Sequence, residues 1–226
     1  MSRRVHDLAL GALADLPTPC RSCVFWESPH GRRGGEADTG AGTVAKDAWW
    51  QATQLEWGTP GKAVYVDDVL RAFAVFAPSS HFPRARLLGP AFSDDALLLA
   101  TLWIDPDCRD SGLARMLVQS VLRETHRHGA KALEAYGDRG RPAGAARTPS
   151  CVLPEAFLLA AGFSVHHEHH AFPLLRLDLR QTARWQESVG HALEGVLSAL
   201  SRRERAPVPV SSATSRSAEV EPLRDR

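Results

Sequence analysis

The chain has 226 residues, 44% of them apolar and 23% charged, and its 27 basic and 26 acidic side chains leave a formal net charge of +1. That size fits one medium domain with extensions, and the charge balance excludes a molecule-wide field that would draw in nucleic acid or an anionic membrane. No segment approaches the apolar length of a bilayer crossing, and His6, Asp7 and Asp15 interrupt the stretch that a secretory leader would need behind Arg3 and Arg4. The expectation is a soluble, cytoplasmic protein with no nucleic-acid or membrane partner.

Taken in chain order, Val5 to Leu16 has a helical pattern closed by Pro17 and Pro19, and residues 1–19 read as an N-terminal extension. Cys20-Arg21-Ser22-Cys23 has the Cys-x-x-Cys spacing of a zinc knuckle or a redox pair. A structural zinc ion needs four ligands and no second pair stands close in sequence, so no metal is predicted unless folding brings Cys108 and Cys151 together. Cys23 to Glu27 reads as a first strand. Residues 28–42, rich in glycine and without periodicity, read as a mobile insertion. Thr43 to Trp57 predicts a helix stopped at Gly58-Thr59-Pro60.

Two strands follow, Ala63 to Val66 and Leu70 to Phe76, joined by a turn at Asp67-Asp68. Ala77 to Asp95, punctuated by three prolines, reads as a long loop of the kind that often carries function. Then comes the most informative stretch. Ala96 to Ile104 is a nine-residue apolar run, long enough for a buried strand, and Asp105 to Ser111 is a polar turn. Past Gly112, apolar residues at Ala114, Leu117, Val118, Val121 and Leu122 carry a helical period up to Gly129. A helix start offers backbone amides without intrahelical acceptors, and Gly112 and Ala114 would let an anion approach them. Arg109 and Arg115 flank the turn.

Ala132 to Tyr136 reads as a short strand, residues 137–150 as a second insertion, Pro154 to Ala161 as a helix, and Ser164 to His170 as a strand. His166, Glu168 and His170 would share one strand face, but their spacing of about 7 Å argues against chelation. A last strand begins at Pro173. Residues 182–204 predict an amphipathic helix with Trp185, Val189, Leu193 and Leu200 on its stripe, and the polar tail from Arg205 reads as disordered. Strands alternating with helices argue for an α/β fold.

The central unit is similar to a known family. Arg109-Asp110-Ser111-Gly112-Leu113-Ala114 resembles the Arg/Gln-x-x-Gly-x-Gly/Ala signature of the GNAT superfamily, the acyl-CoA-dependent N-acetyltransferases, and Glu155 to Phe163 resembles that family's later helix ending in Gly-Phe. The resemblance spans roughly Val64 to Leu179. It implies a mixed, mostly antiparallel central sheet flanked by helices over residues 20–181, extended here by the helix at 182–204. It further implies acetyl-CoA as co-substrate and transfer to a small-molecule or peptide amine, in a monomer or homodimer. Backbone groups at Leu102, Trp103 and Ile104 would line the pantetheine arm, and residues Arg109, Asp110, Ser111, Gly112, Leu113, Ala114 and Arg115 would hold the diphosphate. Many members place a proton-donating tyrosine four residues before the Gly of Gly-Phe; here that position is Leu158. Tyr136 is the candidate substitute acid; Glu134 on the same strand, with Asp94 and Asp95 at the entrance to the central strand, is the candidate base.

Overall fold

The computed structural model describes residues 2–31, 40–109, 111–140 and 151–181. Asp110, the helix expected at 182–204, the tail behind it and much of both expected insertions lie outside these residues.

In chain order the elements are β1 (Arg3–Asp7), α1 (Thr18–Arg21), α2 (Ala41–Glu56), β2 (Gly61–Val66), β3 (Val69–Ala77) and α3 (Ala85–Leu88). These are followed by β4 (Ala96–Ile104), α4 (Leu113–Arg127), β5 (Ala132–Asp138), β6 (Leu153–Pro154), α5 (Glu155–Ala160), β7 (Ser164–His167) and β8 (Leu174–Asp178). One sheet runs β1-β2-β3-β4-β5-β8-β7, with the short β6 attached to β5. All neighbours on that path are antiparallel except β4 and β5, which run parallel. A parallel pair needs a crossover, and α4 supplies it.

The sheet is covered on both faces, which is why its central strands are continuous apolar runs and not alternating ones. On one face α4 and α5 bury Leu117, Val118, Val121, Phe157 and Leu158 against Leu97, Leu99, Leu133 and Leu175. On the other, Leu13, Trp26, Trp50 and Phe82 pack on Ala63, Phe73, Leu98 and Tyr136. Trp50 comes from α2, whose buried Lys46 ties it to Glu27 at 2.5 Å. The β2–β3 hairpin closes through Asp67 and Asp68, both left-handed with φ of 49° and 63°.

Two N-terminal expectations are corrected. Arg3–Asp7 is an edge strand on β2 and Leu10–Asp15 a short 3-10 turn, in place of one helix. Only Val5 of that strand is even half-buried, so the sequence carries little strand signal there. Cys23 to Glu27 makes no strand: Phe25 and Trp26 are buried by their side chains, without a ladder. The strand expected to His170 ends at His167, and His169 Nδ1 accepts the Phe172 amide at 2.9 Å in the turn beyond.

Candidate active site

The site is built where β4 and β5 part. Their pairing covers only Ala96–Leu98 against Ala132–Glu134, yet β4 continues to Ile104 and β5 to Asp138. Part of the cause lies across β4: Val75 and Phe76 of β3 face Thr101 and Leu99, so Ala100 is an extra residue, a bulge that bends the strand. Beyond Leu98 no ladder among the described residues pairs the β5-facing edge of β4. Among the described residues the edge of β5 is taken up again at Gly137–Asp138, by β6. Leu102 and Trp103 on the open stretch are half-buried, packing toward opposite faces of the sheet, whereas Ile104 is buried.

The turn after β4 is held in place. Arg71 Nη1 donates to Asp105 at 2.6 Å, the Asp107 amide donates to the same carboxylate at 3.0 Å, and Ser111 Oγ turns back to the Cys108 carbonyl. Burial raises the Asp105 pKa, but the Arg71 guanidinium and the Asp107 amide outweigh it and hold the carboxyl below its ordinary range. Gly112 is the N-cap of α4 with φ of 78°, a conformation that costs any other residue about 1–2 kcal/mol. As a glycine, the N-cap residue has no side chain with which to cap the helix, and Leu113 and Ala114 are buried beneath its first turn. The arrangement offers backbone donors and a positive helix end to an anion. Arg3, on β1, donates to the Ser111 carbonyl at 2.7 Å and adds a cation that sequence reasoning had no means of finding across 108 positions.

Glu134 and Tyr136 stand on the other lip, on the sheet face away from α4. Glu134 is 0% exposed and fully engaged: it accepts from Ser93 N at 3.0 Å, Ser93 Oγ at 2.7 Å and Arg176 Nη1 at 3.0 Å. Arg176 also grips Asp95 at 2.9 Å and Asp178 at 2.9 Å. His166 lies alongside, its Nε2 3.4 Å from Ser93 Oγ and 4.0 Å from Glu134 Oε1. The Tyr136 hydroxyl donates to the Pro90 carbonyl at 2.6 Å and lies 3.0 Å from the Ala85 carbonyl. Burial, and then the charge of Glu134, push its pKa far up, so its proton is committed to the 77–95 segment. That segment is not an open loop: it carries α3 and seats Phe82 and Ala85 in the core. Ser93 and Arg176 escaped sequence reasoning, and His166 stood out there only on a possible metal face, because the three converge from separate segments.

Similar folds occur among solved structures. An N-acetyltransferase from Staphylococcus aureus Mu50 is 13% identical, with a TM-score of 0.52 over 79% of this chain and 99% of that one. The yncA protein from Salmonella typhimurium, solved with its cofactor acetyl-CoA, is 16% identical at a TM-score of 0.51, covering 78% and 94%. The paia N-acetyltransferase from Thermoplasma acidophilum, in complex with coenzyme A, is 12% identical at 0.50, covering 79% and 99%.

The chain has the GNAT fold.

No family model and no curated protein matches the sequence. Within the GNAT fold the Gly-Phe of the later helix falls where the resemblance put it: Gly162 takes a φ of 87° and Phe163 is buried. Leu158, at the position of the tyrosine, is fully buried against the sheet.

Proposed function

We propose that this chain is an N-acetyltransferase that takes acetyl-CoA as co-substrate and a small-molecule or peptide amine as acceptor. The observation that carries the reading is the parting of β4 from β5 beyond Leu98 and Glu134, on a strand that runs on into a glycine-opened helix start. The residues suit the ligand: a left-handed Gly112 and a small Ala114 at the start of α4 would let a diphosphate approach the backbone donors there. Coenzyme A and acetyl-CoA in two of the similar folds support the same choice.

Acetyl-CoA would supply a thioester that the amine attacks directly. Backbone groups at Leu102, Trp103 and Ile104 would pair with the pantetheine arm like an added strand, and the amides from Arg109 through Arg115 would take the diphosphate. The nucleophile must lose a proton. Glu134, buried and held by Arg176, is proposed to act on that proton through Ser93 and the half-exposed His166. Tyr136 is proposed as a positioning residue that ties the 77–95 segment to β5.

A second reading is a module that binds acetyl-CoA without turning it over. Leu158 in the core and the committed Tyr136 proton favour it. Acetyl-CoA should raise the melting temperature of the wild type under both readings. Gly112→Glu, which sets a carboxylate against the diphosphate, should abolish that shift in a protein that still folds; an unchanged shift would refute this use of the turn. Release of free coenzyme A thiol with a panel of amines separates enzyme from binder. In the enzyme, His166→Ala should lower turnover.

A further inference from the structure

Cys23 and Cys151 stand 128 positions apart in sequence, yet their sulfurs lie 3.6 Å apart. A disulfide is about 2.05 Å long, so roughly 1.5 Å of side-chain movement would join them. Both are half-buried on the sheet face opposite α4, so a small oxidant can reach them. The backbone beneath them is fixed. Trp26, three residues after Cys23, donates its indole N–H to the Cys151 carbonyl at 3.0 Å and stacks on Tyr136. None of the four cysteines is disulfide-bonded.

The remaining thiols are separated from this pair by chemistry or by place. Burial, and then the charge of Cys23, push the Cys20 thiol up to about 11, so Cys20 stays protonated and unreactive. Cys108 packs on the α4 side of the sheet. Among the described residues no group of three or more His, Cys, Asp or Glu is arranged to hold a metal ion.

We propose that Cys23 and Cys151 form a dithiol–disulfide site whose oxidant is a small disulfide of the glutathione class. One thiolate of the pair attacks the oxidant's sulfur, releasing one glutathione thiol and leaving a mixed disulfide. The second thiolate attacks the protein sulfur of that bond and releases the other glutathione thiol. Two protein thiols are oxidised, one small disulfide is reduced to two thiols, and the two protein protons pass, through water, to the two departing thiolates. Cys151 leads directly into β6, which joins β5 at the open lip of the β4–β5 cleft. The new bond therefore ties that lip to the N-terminal segment.

The test uses the full chain, treated with oxidised glutathione, alkylated and mapped by peptide mass spectrometry. The expected product has lost the mass of two hydrogens, retains two of its four thiols, and yields one cross-linked peptide joining Cys23 to Cys151. Its melting temperature should rise and fall back on reduction, because the bond closes a long loop. Cys20→Ser and Cys108→Ser should still form the cross-link; Cys23→Ser and Cys151→Ser should not. A Cys20–Cys23 bond, or stable glutathione adducts with no internal cross-link, would overturn the proposal. Mapping the wild type needs no variant to fold, and it reads separately from acetyl-CoA binding.

Discussion

Leu158 shows how much one side chain decides. It occupies the place where the resembling family often keeps a proton donor, and it is sealed into the core between α5 and the sheet. Leu158→Tyr therefore places a hydroxyl where no water reaches it and overfills a packed site. We expect a loss of about 1–3 kcal/mol, measured as a lower urea midpoint, with no gain in turnover. A gain would mean that α5 turns its buried face toward the cleft. Tyr136 carries the opposite lesson. A tyrosine beside a cleft reads as an acid from sequence, but its partners are the Pro90 and Ala85 carbonyls, 46 and 51 positions away. Tyr136→Phe should loosen the 77–95 segment, seen as faster amide exchange there, while the coenzyme A binding proposed at α4 is retained.

At the scale of elements, α4 does two things with one amphipathic pattern. Its apolar stripe from Leu113 to Leu122 seats it on the sheet, and its start is thereby held at the end of β4. Packing sets the stripe; the turn geometry sets the site. Leu117→Ala, in the fully buried stripe, should cost about 2–5 kcal/mol in a denaturant titration. Leu87→Ala on α3, 67% exposed, should change stability by no more than about 0.5 kcal/mol. Equal effects would mean that α4 does not carry the core. The stripe was legible because a 3.6-residue period survives in any window of the sequence. Edge strand β1 was not, because its five residues bury almost nothing and form a strand only when β2 is beside them.

Across the whole molecule, a few charge clusters tie distant segments together. Arg176 joins Glu134, Asp95 and Asp178, and the nearly buried Lys62 of β2 bridges Asp7 of β1 and Glu124 of α4. Hydrogen bonding to Arg176 holds the Asp95 carboxyl below its ordinary value. The native state thus prefers the charged form. The stability this gives is complete above the unfolded carboxyl's pKa of about 3.9, and is lost as pH falls through the lowered native value. Unfolding midpoints recorded below pH 4 should drop with acid, and Asp95→Asn should flatten that part of the drop. A slope unchanged by the substitution would remove Asp95 from this account.

The sequence by itself determined the strand at Ala96–Ile104, the helix at Leu113–Arg127 and the glycine that opens it, since each is written in neighbouring residues as a run, a period or a turn requirement. Tertiary structure alone decided how far β4 and β5 stay paired, which carboxylates Arg176 gathers, and which two of four thiols meet. Those outcomes depend on groups from separate segments, such as Arg176 with Asp95 and Cys23 with Cys151. Local propensity is silent about such meetings, because only burial of the two sheet faces brings the groups together.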